Sequence, residues 1–531
     1  MVSSYYEKRY KLVSSTATAI ETIITPLVSK SYSLMFEGST TTRAKVNSCL
    51  TPSNSCTSSL FCCFFPLLRT IHNSINSPLQ FSISNNYSDL LHTLSIITKG
   101  LNTRQKEFED YFNSTDSSVS RNWVFSLENR ELIRQIANYL SDNLKDLKNF
   151  PYYLIIRYFR AYSKLQKLAR RHKKIQKLPL NDHLMHGLQN LDRFSIYASG
   201  IYGSQLPKGL TEEEKQAILK EKPIRARFQM FCEVEDKDLL LFEDKAQKYL
   251  PAHALILNHE LKAVVLVIRG TVEKFDIIAD LDGDELRHEI KDCKTGQVLR
   301  NGLVHKGMYQ CALNLSSKLR NEVLRVANEH QGYSVYISGH SLGAGTAALL
   351  ALIWINDPDF TDKGLLALCY APPPLISPEL NEVLKQKVFS VAFGDDAVTR
   401  LSEGSLKDLG QVLKFFSKHD EMGSKYSSIK TKTVLSESEE EKIYVSAYND
   451  LTSTLNNYKL ETPGNLLQVY QKSIHLNYPS LSSSSSEYAG SFVPSSFCDS
   501  LIFTKTVIND HNTLNYINGP KSYLLEVSQD S

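Results

Sequence analysis

Short apolar runs recur along the second half of the chain, and helical stretches separate several of them. The runs lie at residues 254–257, 263–268, 333–337, 365–370 and 388–393. Buried strands that alternate with helices are typical of βαβ units around a largely parallel sheet. The pattern therefore predicts an α/β domain, and with a lead-in segment we place its start near residue 185.

The chain before residue 185 has a different pattern. It is helical where it has any period, and Ser/Thr/Asn-rich stretches interrupt it at 39–59 and 113–121. We predict a mainly helical N-terminal region over 1–184 and the α/β domain over 185–531. Within that domain, residues of about 404–497 are polar, with an acidic run and a serine tract, which predicts an inserted and partly disordered stretch.

One segment of the N-terminal region is strongly basic. Residues 157–177 contain nine Lys and Arg and no acidic residue. One side of a helix would carry Arg160, Lys164, Lys167, Arg171 and Lys174. The opposite side would carry Tyr158, Tyr162, Leu165 and Ala169. Such a helix suits an anionic lipid surface or calmodulin, and the alternative is a helix that packs its aromatic face on the α/β domain.

Composition narrows the classes of protein. A chain of 531 residues exceeds the usual size of a single hydrophobic core. The net charge is only +3, so a nucleic-acid partner is not expected. Mean hydropathy is −0.26, which argues against a chain that lies mostly in lipid. The nine cysteines have no metal-ligand spacing, so we expect neither a disulfide framework nor a metal site.

The N-terminus has no signal-peptide core, and we expect a cytoplasmic protein that associates peripherally with membranes. The most apolar run, residues 60–68, is about half of the roughly 20 residues that a membrane span needs, and it contains Pro66. No transmembrane span is therefore expected. The run is interpreted as a buried segment, or alternatively as a membrane-dipping loop with Cys62 and Cys63 as palmitoylation sites.

Candidate chemistry is concentrated at residues 333–352. An apolar strand runs into Gly339, His340, Ser341, Leu342 and Gly343, and an Ala/Leu-rich helix follows. This is the setting of a nucleophile elbow, where both glycines are needed because the backbone is strained and neighbouring chain passes close. The pattern predicts Ser341 as a nucleophile at a helix N-terminus, with the Leu342 amide as an oxyanion donor.

A second oxyanion donor should come from the end of another strand. Residues 264–271 read as a strand that ends in Arg269, Gly270 and Thr271. Thr271 could offer its amide and its hydroxyl to a developing oxyanion. The alternative is an ordinary exit from a strand into a turn.

Five motifs in this order resemble class 3 lipases, and among them the sn-1-specific diacylglycerol lipases most closely. They are IRGTVEKFDIIADL, VHKGM, ISGHSLGAG, CYAPPP and DDAVTRLS, and the resemblance covers roughly residues 190–520. It implies an α/β-hydrolase fold and a cytosolic or peripheral enzyme that cleaves acyl esters of glycerolipids. Triad chemistry requires no cofactor and no metal, and stimulation by calcium is implied by the resemblance alone.

The resemblance also assigns residues. It matches Ser341 to the nucleophile and Leu342 and Thr271 to the oxyanion positions. Asp276 and Asp280 match a structural element after the oxyanion strand. His305 matches a position that braces the site, and a hydrogen-bonded packing role is the alternative. Residues 272–302 lie where such lipases keep a lid.

The remaining triad members must follow Ser341 in the order acid, then base. We assign the acid to Asp396 rather than Asp395, because its spacing to Arg400 matches the family pattern. The candidates for the base are His419, His475 and His511. A short Asp-His motif followed by Tyr516 resembles the base-bearing loop of the family and favours His511.

These assignments predict a serine hydrolase, most closely a diacylglycerol or triacylglycerol lipase. Phospholipase A1, galactolipase or general carboxylesterase activity uses the same chemistry with a different pocket, and one sequence does not separate them. A hydrolase fold that has lost activity and acts as an adaptor is the alternative from another class. It would have a broken triad, whereas this chain retains candidates for all three roles.

Overall fold

The computed structural model describes residues 152–172, 176–271, 285–291, 295–429, 439–475 and 487–530, together with residue 136. The chain divides into two compact units, residues 1–114 and 115–531, and every described residue lies in the second unit. The first unit, which holds most of the predicted N-terminal region and the apolar run at 60–68, therefore lies outside the described residues.

The strands form one large sheet and one hairpin. In chain order they are β1 (Leu239–Glu243), β2 (His253–Asn258), β3 (Ala263–Ile268), β4 (Glu285–Lys291), β5 (Val298–His305), β6 (Ser334–His340), β7 (Leu366–Tyr370), β8 (Val388–Phe393), β9 (Asn465–Gln471) and β10 (Tyr488–Val493). The large sheet has the order β1-β2-β3-β6-β7-β8-β9-β10, and β4 pairs with β5 in the hairpin.

The five central strands of the large sheet, β3 and β6 to β9, are parallel. Antiparallel pairs occur only towards its two edges. All six residues of β3 and of β8 are buried. Because successive side chains of a strand point to opposite faces, both faces of the sheet are covered, which is the usual state of a parallel sheet. The predicted α/β architecture is confirmed.

The helices cover the two faces of this sheet and part of its rim. They are α1 (Tyr152–His172), α2 (Asp182–Gly200), α3 (Glu212–Glu221), α4 (Ile224–Cys232), α5 (Lys306–Glu329), α6 (Leu342–Ile355), α7 (Pro378–Leu384), α8 (Glu403–Lys418), α9 (Asp420–Ser427), α10 (Glu439–Ser453) and α11 (Thr513–Asp530). Helices α2 and α11 contact each other and the sheet, as do α5 and α6. Leu188 and Leu191 of α2 join Val265 and Val267 of β3 in the main apolar cluster.

The polar stretch at 404–497 is not a looped-out insertion. Strand β9 pairs in parallel with β8, and β10 pairs with β9, so both strands extend the main sheet. Helices α8, α9 and α10 precede them and contact α1. The serine tract at 482–486 lies outside the described residues. The polar helices and the serine tract dominate the composition of the stretch, although two of its segments are strands of the sheet.

Helix α1 packs within the α/β unit, which agrees with the alternative given for this segment but not with the predicted domain boundary. Tyr158 stacks on Phe416, and Phe159 meets the ring of Phe503 edge-on. Lys164 is buried, and its Nζ donates hydrogen bonds to the carbonyl oxygens of Ser427 and Ile429. Burial lowers the pKa of Lys164 to about 8. The boundary predicted near residue 185 therefore cuts through one packed unit.

The prediction that Lys164 belongs to an exposed basic side of α1 is therefore wrong. Its ammonium group donates a hydrogen bond to a carbonyl oxygen at the C-terminal end of α9. Arg160 and Lys167 are half-buried. The side chain of Arg171 and residue Lys174 lie outside the described part of the structure. Binding of anionic lipid or calmodulin by residues 157–177 stays a prediction. No helix in the described part of the chain has the length and apolar character needed to cross a membrane.

Candidate active site

Ser341 lies in a sharp turn between β6 and α6. Its backbone has φ 61° and ψ −130°, a conformation that side chains other than glycine rarely adopt. A Cβ atom on Gly339 would come within 2.5 Å of the Gly343 backbone, and one on Gly343 within 2.3 Å of the Ile268 carbonyl oxygen. Both flanking glycines are therefore required by close backbone approach, as the sequence pattern predicts.

The structure brings Ser341, His511 and Asp396 together. The Nε2 atom of His511 lies 3.0 Å from Oγ of Ser341, and its Nδ1 atom lies 2.8 Å from Oδ2 of Asp396. Asp396 follows β8, and His511 closes a short turn ahead of α11. An imidazole held between a hydroxyl and a carboxylate can accept the hydroxyl proton while the carboxylate fixes its tautomer and orientation.

Asp396 is fully buried and held by further donors. Its Oδ1 accepts a hydrogen bond from the Val398 N–H at 2.8 Å, and its Oδ2 also accepts one from the Tyr516 hydroxyl. That hydroxyl in turn accepts a bond from the Phe393 N–H. Sequence reasoning used Tyr516 only as a landmark of the base loop. Its contact with Asp396 spans 120 positions in the sequence, and only the fold reveals it.

His340, beside the nucleophile, is buried next to the catalytic base. Its ring centroid lies 4.6 Å from that of His511, and Nδ1 lies 3.2 Å from the Tyr202 hydroxyl. Burial, together with the proximity of His511, holds the pKa of His340 well below its usual value. His340 therefore stays neutral, and it does not oppose the positive charge that His511 acquires when it takes a proton.

Thr271 and Leu342, the residues predicted as oxyanion donors, lie just after β3 and at the start of α6. A Cβ atom on Gly270 would lie 3.2 Å from Cβ of Ser341, so the chain leaving β3 passes directly beside the nucleophile. Thr271 is the next residue and is half-buried. Leu342 is the first residue of α6, where backbone N–H groups have no partner within the helix. The two predicted donors are thus neighbours of Ser341, Leu342 along the chain and Thr271 through Gly270.

The two other candidate bases lie elsewhere. His419 is exposed, and its Nδ1 lies 3.0 Å from the Phe415 carbonyl oxygen. His475 is buried and pairs with Asp510, with 3.0 Å between Nε2 and Oδ2. The structure thus provides His511 alone, of the three, with contacts to both Ser341 and Asp396.

The remaining supporting residues predicted from the sequence are His305, Asp276 and Asp280. His305 is buried at the start of α5, and its Nδ1 accepts a hydrogen bond from the Met308 N–H at 3.3 Å. It braces the helix as a cap. Asp276 and Asp280 lie outside the described residues. Of the predicted lid, residues 285–291 and 298–302 lie in the β4–β5 hairpin. Within the described residues no cluster of His, Cys, Asp and Glu could hold a metal ion.

The mainly parallel sheet, the strained elbow between β6 and α6 and the Ser341–His511–Asp396 contacts together define the α/β-hydrolase class. Within it, residues 265–405 match the family model described as Lipase (class 3), which confirms the resemblance seen in the sequence.

Curated relatives match about a third of the chain. Diacylglycerol lipase-beta of Mus musculus is 34% identical over 178 residues, which are 32% of this chain and 24% of the relative. Diacylglycerol lipase-alpha of Homo sapiens is 33% identical over 172 residues, 30% of this chain and 16% of the relative. The matched segment thus spans no more than about a quarter of the length of these relatives.

Solved structures of fungal lipases also resemble the chain at low similarity. A lipase from Rhizopus microsporus var. chinensis is 12% identical, with a TM-score of 0.39, over 66% of this chain and 93% of the lipase. Similarity at this level supports no assignment of function, and the fold class rests on the sheet and the elbow.

Proposed function

We propose that the protein is a serine hydrolase that cleaves acyl esters of glycerolipids, and that diacylglycerol or triacylglycerol is its substrate. The observation that carries the proposal is the position of His511 between Ser341 and Asp396, at 3.0 Å and 2.8 Å. A broken triad would favour an inactive adaptor, and this triad is intact. The diacylglycerol lipases with which the chain shares the matched segment support the choice of substrate.

Each group has a defined step in this proposal. His511 accepts the proton of Ser341 Oγ as that oxygen attacks the ester carbonyl, and the Leu342 and Thr271 donors stabilise the oxyanion. The oxyanion collapses, the acyl–oxygen bond breaks, and His511 gives its proton to the departing glycerol oxygen. Water then attacks the acyl-serine by the same route, releasing a fatty acid and restoring Ser341. Asp396 orients His511 and stabilises its imidazolium throughout.

A lipid surface as the place of action has support from the β4–β5 hairpin. Leu286, Val298 and Leu299 on this hairpin are exposed, at 37%, 41% and 50%. Exposed apolar side chains grouped on one hairpin suit a protein that works against lipid rather than in free solution. Peripheral association with a membrane or a lipid droplet follows as part of the proposal.

The test is hydrolysis of a panel of lipid classes by the full chain, with fatty-acid release as the readout. The panel contains diacylglycerol, triacylglycerol, phosphatidylcholine, a galactolipid and a water-soluble short-chain ester. We expect the highest kcat/KM on a neutral glyceride and no release by Ser341→Ala. A higher kcat/KM on phosphatidylcholine would favour phospholipase A1 activity over hydrolysis of neutral glycerides. Release by Ser341→Ala at the wild-type rate would overturn it altogether.

A further inference from the structure

A second buried polar network lies directly behind the triad, and Asp510 is its centre. Asp510 precedes His511 in the chain and is 3% exposed. Its Oδ2 accepts hydrogen bonds from the Asp395 backbone N–H at 2.7 Å and from the Thr506 hydroxyl at 2.8 Å, and it lies 3.0 Å from Nε2 of His475. Asp395 precedes Asp396. One carboxylate oxygen therefore joins the loop that carries the acid to the turn that carries the base.

His475 cannot act as a second catalytic base in this network. A relay needs the carboxylate on one ring nitrogen and the nucleophile on the other. Here Asp510 and the Thr506 hydroxyl, at 3.0 Å and 3.5 Å, both face Nε2. The Nδ1 atom lies 3.1 Å from both the carbonyl oxygen and the backbone nitrogen of Gln471. Because Nδ1 meets backbone and no nucleophile, the geometry suits a fixed His475–Asp510 pair rather than a proton shuttle.

The charges in the network balance when His475 is protonated. Asp395, Asp396 and Asp510 are three buried carboxylates, and Arg170 of α1 pairs with Asp395 at 2.6 Å. Arg400 is also buried, and its charge acts on Asp395. Burial lowers the pKa of His475, but the hydrogen bond and charge of Asp510 outweigh it and raise the pKa above the usual value. Buried charges are tolerated when they are paired in this way.

His475 and Asp510 pack closely against the backbone at Gly394. This residue directly follows β8, precedes Asp395 and has φ 53°. A Cβ atom there would lie 2.3 Å from Nε2 of His475 and 2.4 Å from Oδ2 of Asp510. A backbone bond from the Ala397 N–H to the Val507 carbonyl oxygen joins the same two loops on the other side of Asp396. The acid and base loops are thus tied together on both sides of Asp396.

From this geometry we propose that Asp510 and His475 are positioning residues, which fix the separation of the acid loop and the base turn and so hold His511 against Ser341. The proposal rests on the proposed hydrolase function. A displacement of about 1 Å in a catalytic group can reduce turnover by roughly 100-fold. Loss of the hydrogen bonds that connect the two loops should therefore lower kcat.

The experiment measures kcat and KM on a water-soluble short-chain ester, with active sites counted by titration with a fluorophosphonate. For Asp510→Asn we expect kcat to fall about 10- to 100-fold while KM stays within about twofold, because the amide cannot pair with the imidazolium. His475→Gln leaves a carboxylate without its cation next to the base. Its kcat/KM profile should therefore shift its acid limb to higher pH, which a role in packing alone would not produce.

Asp359→Asn is the matched control, since Asp359 pairs with Arg320 at the surface, and we expect wild-type kinetics. Thr506→Val removes one hydrogen bond and little volume, and it decides the question if Asp510→Asn does not fold. We expect about threefold lower kcat for it with KM unchanged. Wild-type kcat in the folded variants, with an unmoved pH profile, would overturn the positioning role. Failure of the wild-type chain to react with the fluorophosphonate would instead overturn the hydrolase proposal.

Discussion

Ser341 adopts its strained backbone because three surrounding contacts leave no other path. Its N–H donates to the Tyr370 carbonyl oxygen at 2.9 Å, and Gly339 and Gly343 let neighbouring backbone come close on either side. Such a conformation costs about 1–3 kcal/mol, which the packed sheet and helix must offset. The strain presents the hydroxyl at the start of α6, within reach of His511.

Thr271 offers the sharpest residue-scale prediction. Thr271→Val removes the hydroxyl and keeps the side-chain volume. We expect a loss of about 3–4 kcal/mol of transition-state stabilisation, seen as a kcat roughly 100- to 1000-fold lower with KM nearly unchanged. Steady-state kinetics on a short-chain ester measures this, and Thr271→Ser, which keeps a hydroxyl, should retain most of the activity. Equal activity in the valine and serine variants would show that the hydroxyl has no part in the oxyanion site.

The sequence predicted those residues whose roles depend on the local backbone geometry around Ser341. The two glycines and Ser341 follow from a turn that only such residues can form, and the order of acid and base follows from the chain order typical of this class. The contacts of Tyr516 with Asp396 and of Tyr202 with His340 join positions more than a hundred residues apart. A single sequence contains no signal for such pairings, because nothing local to either residue requires them.

Among the elements, α1 illustrates how a charge pattern can mislead. Its basic residues recur at helical spacing, yet Lys164 is buried against the carbonyl end of α9 and Arg170 pairs with Asp395. Periodicity states which residues share a side of a helix, but not whether that side meets water or another element. The alternative given for this segment, packing of the aromatic face on the α/β domain, agrees with the contacts of Tyr158 and Phe159.

Lys164→Met tests this placement. The variant leaves the Ser427 and Ile429 carbonyl oxygens without their donor, and we expect the free energy of unfolding to fall by about 1–3 kcal/mol. Urea denaturation measures it. Lys215→Met removes an exposed lysine and should change stability by less than about 0.5 kcal/mol. An unchanged stability for Lys164→Met, with weaker binding to phosphatidylserine vesicles, would restore the surface role of this side chain.

At the scale of the α/β unit, the ion pair of Arg170 and Asp395 connects α1 to the acid loop. Burial raises the pKa of the Asp395 carboxyl, but the charge and hydrogen bond of Arg170, helped by His475 and Arg400, outweigh it and hold the pKa below its usual value. The unfolded chain then binds more protons than the folded chain below about pH 4. The contribution of the pair is therefore present above this pH and is lost as the pH falls.

The corresponding prediction concerns Asp395→Asn. At pH 7 the variant leaves the half-buried Arg170 without the Asp395 carboxylate, and we expect it to be about 3–5 kcal/mol less stable than the wild type. The difference should narrow as the pH falls below about 4, because protonation of Asp395 then stabilises the unfolded wild-type chain while the folded chain still holds the carboxylate ionised. Urea denaturation between pH 3 and pH 7 tests this. A difference that stays constant over the whole range would contradict the pKa assigned to Asp395.

The most direct test of the central claim is the site and rate of fluorophosphonate labelling in the full chain, mapped by mass spectrometry of its peptides. We expect one adduct per chain, on Ser341, with no labelling of Ser341→Ala. We also expect labelling of His511→Ala at least about 1000-fold slower than that of the wild type, because the nucleophile has lost its base. An adduct on another serine, or labelling of His511→Ala at the wild-type rate, would contradict the triad.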